Sequence, residues 1–246
     1  MRIVGIGASA GGLAPLEDFF RNTPCETGMA FLVVQHLDPT QKALLPELLQ
    51  RYTKMPVTEA GQNMVILPDS VYVIPPNREL RVLDGRLKLD QPAEPRGLRL
   101  PVNVLFSSLA SAQNERAIAV ILSGMGSDGT LGLQAIKATG GLTVVQDPES
   151  AQFDAMPRSA IAANCADIIA PAAELPTRIL DYVRRVPEAE QSHHPHRSMN
   201  RLEPILHLLQ QHTRHDFSLY KPTTLNRRIE RRMAIHGISE LADYAQ

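Results

Sequence analysis

Three residues in this chain have types and positions suited to nucleophilic catalysis: Ser9, His36 and Asp128. Ser9 stands in Gly7-Ala8-Ser9-Ala10-Gly11, directly after the apolar run Ile3-Val4-Gly5-Ile6. A serine flanked by small residues at a strand-to-helix turn fits the nucleophile elbow, where the sharp turn leaves the hydroxyl in the open. The same letters fit a second template. Gly5-x-Gly7-x-x-Ala10 matches the looser dinucleotide-binding fingerprint, in which a pyrophosphate rests on the helix N-terminus.

A serine nucleophile needs a base that titrates near neutrality, and imidazole does. Of the 8 histidines, all but His36 lie at or beyond residue 193. His36 follows Gln35 at the C-terminal end of the continuous apolar run Ala30 to Val34, the end at which open α/β sheets place their sites. The competing reading is a histidine hydrogen-bonded for structure alone. A histidine base in turn needs a carboxylate to set its tautomer and stabilise its charge. Asp128 suits that role in Gly124-Met125-Gly126-Ser127-Asp128-Gly129, the loop after the buried run Ala117 to Leu122. Its competing role is to cap the helix that follows Gly129. Asp38 is a weaker candidate acid, being too near His36 in sequence. The glycines around Met125 leave its backbone N–H available to hold an oxyanion. A dinucleotide site wants an acidic residue at the end of the second strand to hold a ribose hydroxyl, and this chain has Gln35-His36 there.

These residues require a framework that brings several strand ends to one edge. Residues 2–6, 30–34, 117–122 and 142–145 read as buried strands. Helical spacing follows the first three, with Leu13, Leu16, Phe19 and Phe20, then Leu44, Leu45, Leu48 and Leu49, then Leu131, Leu133 and Ile136. Pro101 opens another helix carrying Val102, Leu105, Phe106 and Leu109. The alternation predicts a doubly wound, mostly parallel α/β sheet. Residues 57–90 read differently, as small antiparallel strands and hairpins with a turn at Asp84-Gly85. Residues 152–163 and 175–186 complete a domain spanning 1–186.

Composition narrows the function classes. Hydrophobic residues are 43% and charged residues 21%, with a net charge of -1. That balance fits a globular protein and argues against whole-protein attraction to nucleic acid or membrane. No apolar run reaches bilayer length and no leader precedes the first strand, so the expected location is the cytoplasm. Cys25 and Cys165 lack metal-ligand spacing and read as buried or half-buried free thiols. Residues 187–198, with His193, His194 and His196, read as a solvated linker, a weak transition-metal site being the alternative. From 199 to 246 the pattern is helical: Leu202, Ile205, Leu206 and Leu209, then a helix over Leu225 to His236, then the start of another at Ser239 to Tyr244. Arg227 with Arg231, and Arg228 with Arg232, form basic rows on the second of these helices.

Gly7-Ala8-Ser9-Ala10-Gly11-Gly12, Val34-Gln35-His36-Leu37, Gly124 to Gly129 and Met156-Pro157-Arg158 together closely resemble the catalytic domain of the chemotaxis protein-glutamate methylesterases, the CheB family. The resemblance covers roughly residues 1–186. It implies a triad of Ser9, His36 and Asp128, an oxyanion hole using the Met125 amide, and no metal or organic cofactor. It further implies methyl-accepting chemoreceptor helices as protein substrate, with hydrolysis of glutamate methyl esters and deamidation of glutamine. Two departures stand out. Ala10 replaces the threonine that often follows the nucleophile, and the phosphorylatable receiver domain typical of the family does not precede the first strand. Leu208 to Gln246, with Asp216-Phe217-Ser218-Leu219-Tyr220-Lys221 and Leu225 to Met233, resembles the N-terminal helical domain of the chemotaxis receptor methyltransferases, the CheR family. The methyl-donor domain of that family has no counterpart here, so the segment reads as a partial domain. In that family the region helps recognise acidic receptor helices, which points to Arg227, Arg228, Arg231 and Arg232 as receptor-binding. The alternative to an enzyme is a weak or inactive receptor-binding module of the same fold.

Overall fold

The computed structural model describes residues 1–35, 44–95, 97–186, 205–208, 210–211, 214, 222–238 and 240–244. Residues Met1–Ile179 and Leu180–Gln246 form two compact units.

The first unit is built on a seven-stranded sheet in the order β3-β4-β2-β1-β7-β8-β9. Its central strands are β2 (Ala30–Gln35), β1 (Ile3–Ala8) and β7 (Ala117–Ile121). β4 (Ser70–Val73) and β3 (Val57–Glu59) extend it beyond β2, and β8 (Leu142–Gln146) and β9 (Ile168–Ala170) beyond β7. Every pairing in it is parallel. Such strands are buried on both faces, which is why β1 and β7 are apolar or small throughout. On one face, α3 (Pro101–Gln113), α4 (Thr130–Ala138) and α5 (Ala155–Ala162) pack Val102, Phe106, Leu133 and Met156 against Ile3, Leu32 and Ile121. On the other, Phe19 and Phe20 of α1 (Leu13–Arg21) meet Phe31 of β2 edge-on, and α2 (Leu45–Gln50) packs beside α1 against β3 and β4. The doubly wound α/β architecture is as the sequence predicts.

The first glycines of the opening motif serve this packing. A Cβ at Gly5 would lie 3.1 Å from the Phe106 and Leu109 side chains, and one at Gly7 would overlap Val102. Both glycines therefore let α3 lie directly on β1. Because the strand order reverses between β1 and β7, the crevice at their C-terminal ends is the topological switch point, where α/β sheets bind ligands. Ser9 follows β1, and the Gly124–Gly129 loop follows β7.

Residues 57–90 differ from expectation. Only β5 (Glu79–Leu83) and β6 (Arg86–Asp90) form an antiparallel pair. Asp84 and Gly85 turn between them with φ of 49° and 71°, as a two-residue hairpin loop requires. β3 and β4 instead join the parallel sheet. β4 is buried along its whole length, so its four residues carry no alternation that would separate a buried parallel strand from a hairpin strand.

Cys165 is buried, and burial pushes its thiol pKa up; Cys25 is exposed, contrary to the sequence expectation. In the second unit, the helices Pro222–His236 and Leu241–Tyr244 bring Ile229, Met233, Leu241 and Tyr244 together with Ile205 and Leu206. The predicted linker, 187–198, and its histidines lie outside the described residues, as do Met199 to Leu202 and Leu209. Among the described residues no helix is long and apolar enough to cross a membrane.

Candidate active site

Ser9 is half-buried at the first position after β1. Its N–H donates to Ser123 O (3.0 Å), and its carbonyl accepts from Gly12 N–H (2.9 Å). Gly11, at φ +64°, carries the chain round into α1. The backbone of the turn is thus held from both sides. Among the described residues the Ser9 hydroxyl has no hydrogen-bond partner.

The β7 loop closes against this turn. A Cβ on Gly124 would overlap Met156 Sδ and stand 2.9 Å from Ser9 Cβ, so only glycine allows this approach. The Gly124 carbonyl accepts from Met156 N–H at 3.0 Å. In a trans peptide the C=O and the following N–H point in opposite directions. Anchoring the Gly124 carbonyl on α5 therefore turns the Met125 N–H away from α5. Likewise, tying Ser9 O to Gly12 turns the Ala10 N–H outward from the turn. Neither the Met125 nor the Ala10 N–H has an acceptor among the described residues, which leaves both available to hold an oxyanion. The Met125 side chain itself is 64% exposed.

Asp128 is buried at 3% exposure. Its Oδ2 accepts from Val102 N–H and its Oδ1 from Asn103 N–H, both at 3.0 Å. It is therefore a cap, but of α3, which has no side-chain cap of its own; Gly129 fills the N-cap position of α4 without a side-chain bond. The two amides fix the carboxylate plane, and the helix dipole of α3 favours the negative charge there.

Gln35 is level with Ala8 in the β1–β2 register. His36 and Asp38 lie outside the described residues. Ser9, Met125 and Asp128 are thus brought to one sheet edge.

Two participants escaped sequence reading. Ser123, fully buried, accepts from Phe153 N–H (3.0 Å) and lies 3.0 Å from Ala10 O through its hydroxyl. Gln146, at the end of β8, accepts from Ser123 N–H (2.9 Å) through Oε1 and donates through Nε2 to Ser150 O (3.1 Å). A polar residue at the end of a buried strand, or just beyond it, is the only signal either one carries.

In the second unit, Arg228 and Arg232 are exposed on the helix Pro222–His236, whereas Arg231 is half-buried. The basic rows therefore do not lie wholly on the solvent face. Nothing is described of the Arg227 side chain.

A doubly wound α/β domain with a serine turn at its switch point, opposite a glycine loop bearing a buried aspartate, defines a serine-hydrolase type of architecture. The CheB methylesterase profile matches residues 4–179. The chain belongs to the CheB methylesterase family. The profile of the CheR methyltransferase all-alpha domain matches residues 200–246. A solved structure, the CheB methylesterase catalytic domain of Thermotoga maritima, superposes with a TM-score of 0.69 at 32% identity, covering 74% of this chain and 98% of that one. A putative protein-glutamate methylesterase/protein-glutamine glutaminase of Leptospira interrogans is 34% identical, over 67% of this chain and 86% of its own length. An uncharacterized 104.1 kDa protein of Rhodobacter capsulatus is 36% identical over 82% of this chain. The chain spans 24% of that protein's length, and 53% of the methylesterase/glutaminase of the group 3 operon of Rhizobium meliloti, which is 32% identical.

Proposed function

We propose that residues 1–186 hydrolyse glutamate methyl esters on the cytoplasmic helices of methyl-accepting chemoreceptors, and deamidate glutamine at such sites by the same route. The observation that carries this reading is the placement of Ser9 against Gly124, next to the acceptor-free Ala10 N–H and with the acceptor-free Met125 N–H in the facing loop, at the edge where Asp128 is fixed. Ser9 Oγ attacks the ester carbonyl carbon while His36 takes its proton. The carbonyl oxygen becomes an oxyanion held by the Ala10 and Met125 N–H groups. Methanol leaves with the proton returned by His36, and water activated by the same imidazole attacks the acyl-enzyme to release the glutamate side chain. For glutamine the leaving group is ammonia. Support for His36 as base comes from its place one peptide bond beyond Gln35, which pairs with Ala8 beside Ser9. Asp128 orients the imidazole, its carboxylate held in place by the Val102 and Asn103 N–H groups of α3. No step calls for a metal or an organic cofactor.

The family membership supports this activity, and the names of the Leptospira and Rhizobium relatives state it for those proteins. Incubation with receptor carrying labelled methyl esters tests it directly. Release of labelled methanol is the expected result. Intact receptor binding without release would leave the competing reading, a regulatory module that no longer turns over.

The helical segment 199–246, which the sequence reads as following a linker at 187–198, is proposed to bind the acidic receptor helices through Arg227, Arg228, Arg231 and Arg232. Replacing the four with alanine is expected to weaken receptor binding at low salt, measured by titration calorimetry or sedimentation. Loss of affinity should fade as salt rises, because exposed charges are screened. Unchanged low-salt affinity would reduce them to solvated surface.

A further inference from the structure

The structure assigns Ser123 as the positioning residue of the oxyanion hole: its buried hydroxyl ties the backbone of the nucleophile turn to the Phe153 segment that locks the Met125 peptide. The inference rests on the reading of Ser9 as nucleophile.

Ser123 touches the turn twice. Its carbonyl accepts the Ser9 N–H at 3.0 Å, and its hydroxyl faces the Ala10 carbonyl at 3.0 Å. The bonds fall on either side of Ala10, so the orientation of the Ala10 N–H depends on both. Ala10 contributes no side-chain bond to hold itself. A hydroxyl has one proton and two acceptor lone pairs. With Phe153 N–H already donating to Oγ (3.0 Å), the proton goes to Ala10 O rather than to the more distant Phe153 O at 3.3 Å, which accepts from Gly124 N–H at 2.9 Å.

The far side of the hydroxyl reaches the second donor. Phe153, held to Ser123 Oγ and to Gly124 N–H, is followed by Met156, whose N–H holds the Gly124 carbonyl and so sets the Met125 N–H. One hydroxyl therefore joins the two peptides that supply the oxyanion donors. Gln146 steadies the hub. The Ser123 N–H can only donate, so the Gln146 atom facing it is the carboxamide oxygen, and the amide nitrogen is left for Ser150 O and Oγ. These groups touch neither substrate nor the reacting atoms, and act through Ala10 and Met125 alone.

Removing the hydroxyl leaves both donors present but loosely aimed, and a misplacement near 1 Å costs about 100-fold in rate. Ser123→Ala should lower kcat for methanol release about 10- to 100-fold with KM nearly unchanged. It should slow covalent labelling of Ser9 by a fluorophosphonate probe in parallel, as read by intact mass. Ser123→Thr, which keeps the hydroxyl, should recover most of both rates. If Ser123→Ala does not fold, Ser123→Cys, close in size but a weak hydrogen-bonding group, should show the same slow labelling. Wild-type kcat in folded Ser123→Ala or Ser123→Cys would overturn the assignment, as would a Ser123→Thr variant no faster than Ser123→Ala. A wild-type chain that takes label, but not at Ser9, would overturn the nucleophile itself and this assignment with it.

Discussion

Ser9→Ala is expected to abolish methanol release from a methylated receptor, with kcat falling on the order of 10³ to 10⁶-fold, as when other serine triads lose their nucleophile. The fold should survive the change. Ser9 is tied to its surroundings through its backbone, by the bonds to Ser123 O and from Gly12 N–H, and alanine keeps both. The Cβ that packs near Gly124 is retained as well. Only the hydroxyl, which has no partner among the described residues, is lost. The measurement is a pair: methanol release, and the thermal midpoint of unfolding. A collapse of the first beside an unchanged second assigns the loss to chemistry. Turnover retained in Ser9→Ala would move the nucleophile elsewhere and leave the turn as a structural glycine bend. The same variant should take no fluorophosphonate label.

The opening motif shows why its own letters do not decide between a nucleophile turn and a nucleotide site. Gly7 fits both templates and Gly5 the dinucleotide one, yet in the fold what demands both is the close approach of α3, some 95 residues later. Local pattern cannot show such a contact. What was legible is what sits at strand ends: continuous apolar runs locate β1, β2 and β7, and the small and charged residues after β1 and β7 lie at the switch point by topology alone. Asp128 illustrates both sides. Its place on the sheet edge that carries Ser9 follows from the run before it, while the helix it caps is α3, which precedes it in the chain, and not α4, which follows. A cap supplied from a distant loop has no sequence spacing to betray it. Ser123 and Gln146 were invisible for a related reason, since their partners are backbone groups of other segments. β3 and β4 were misassigned because runs of three and four residues carry too few positions for a period to be read.

Asp128→Asn is expected to separate the cap this aspartate makes from the triad role proposed for it. As a cap, the carboxylate accepts from two amides at 3.0 Å, one on each oxygen. Asparagine offers one oxygen and one NH2 group, so a donor must face either the Val102 or the Asn103 N–H. Leaving one buried N–H unsatisfied costs about 1–3 kcal/mol, which for a domain of this size shifts the unfolding midpoint by roughly 2–12 °C. As the proposed orienting acid, Asp128 would act on the imidazole of His36, where an amide selects the wrong tautomer, a change that costs about 10⁴ in kcat in another serine triad. The two effects are read independently. At a temperature well below the variant's midpoint nearly all molecules are folded, so instability alone leaves the rate close to wild type. A fall near 10⁴ under those conditions assigns Asp128 to the triad. A lowered midpoint with wild-type turnover would make it the cap of α3 and nothing more. Ser9 labelling should follow the rate, because in the proposed mechanism the same imidazole removes the serine proton in both reactions.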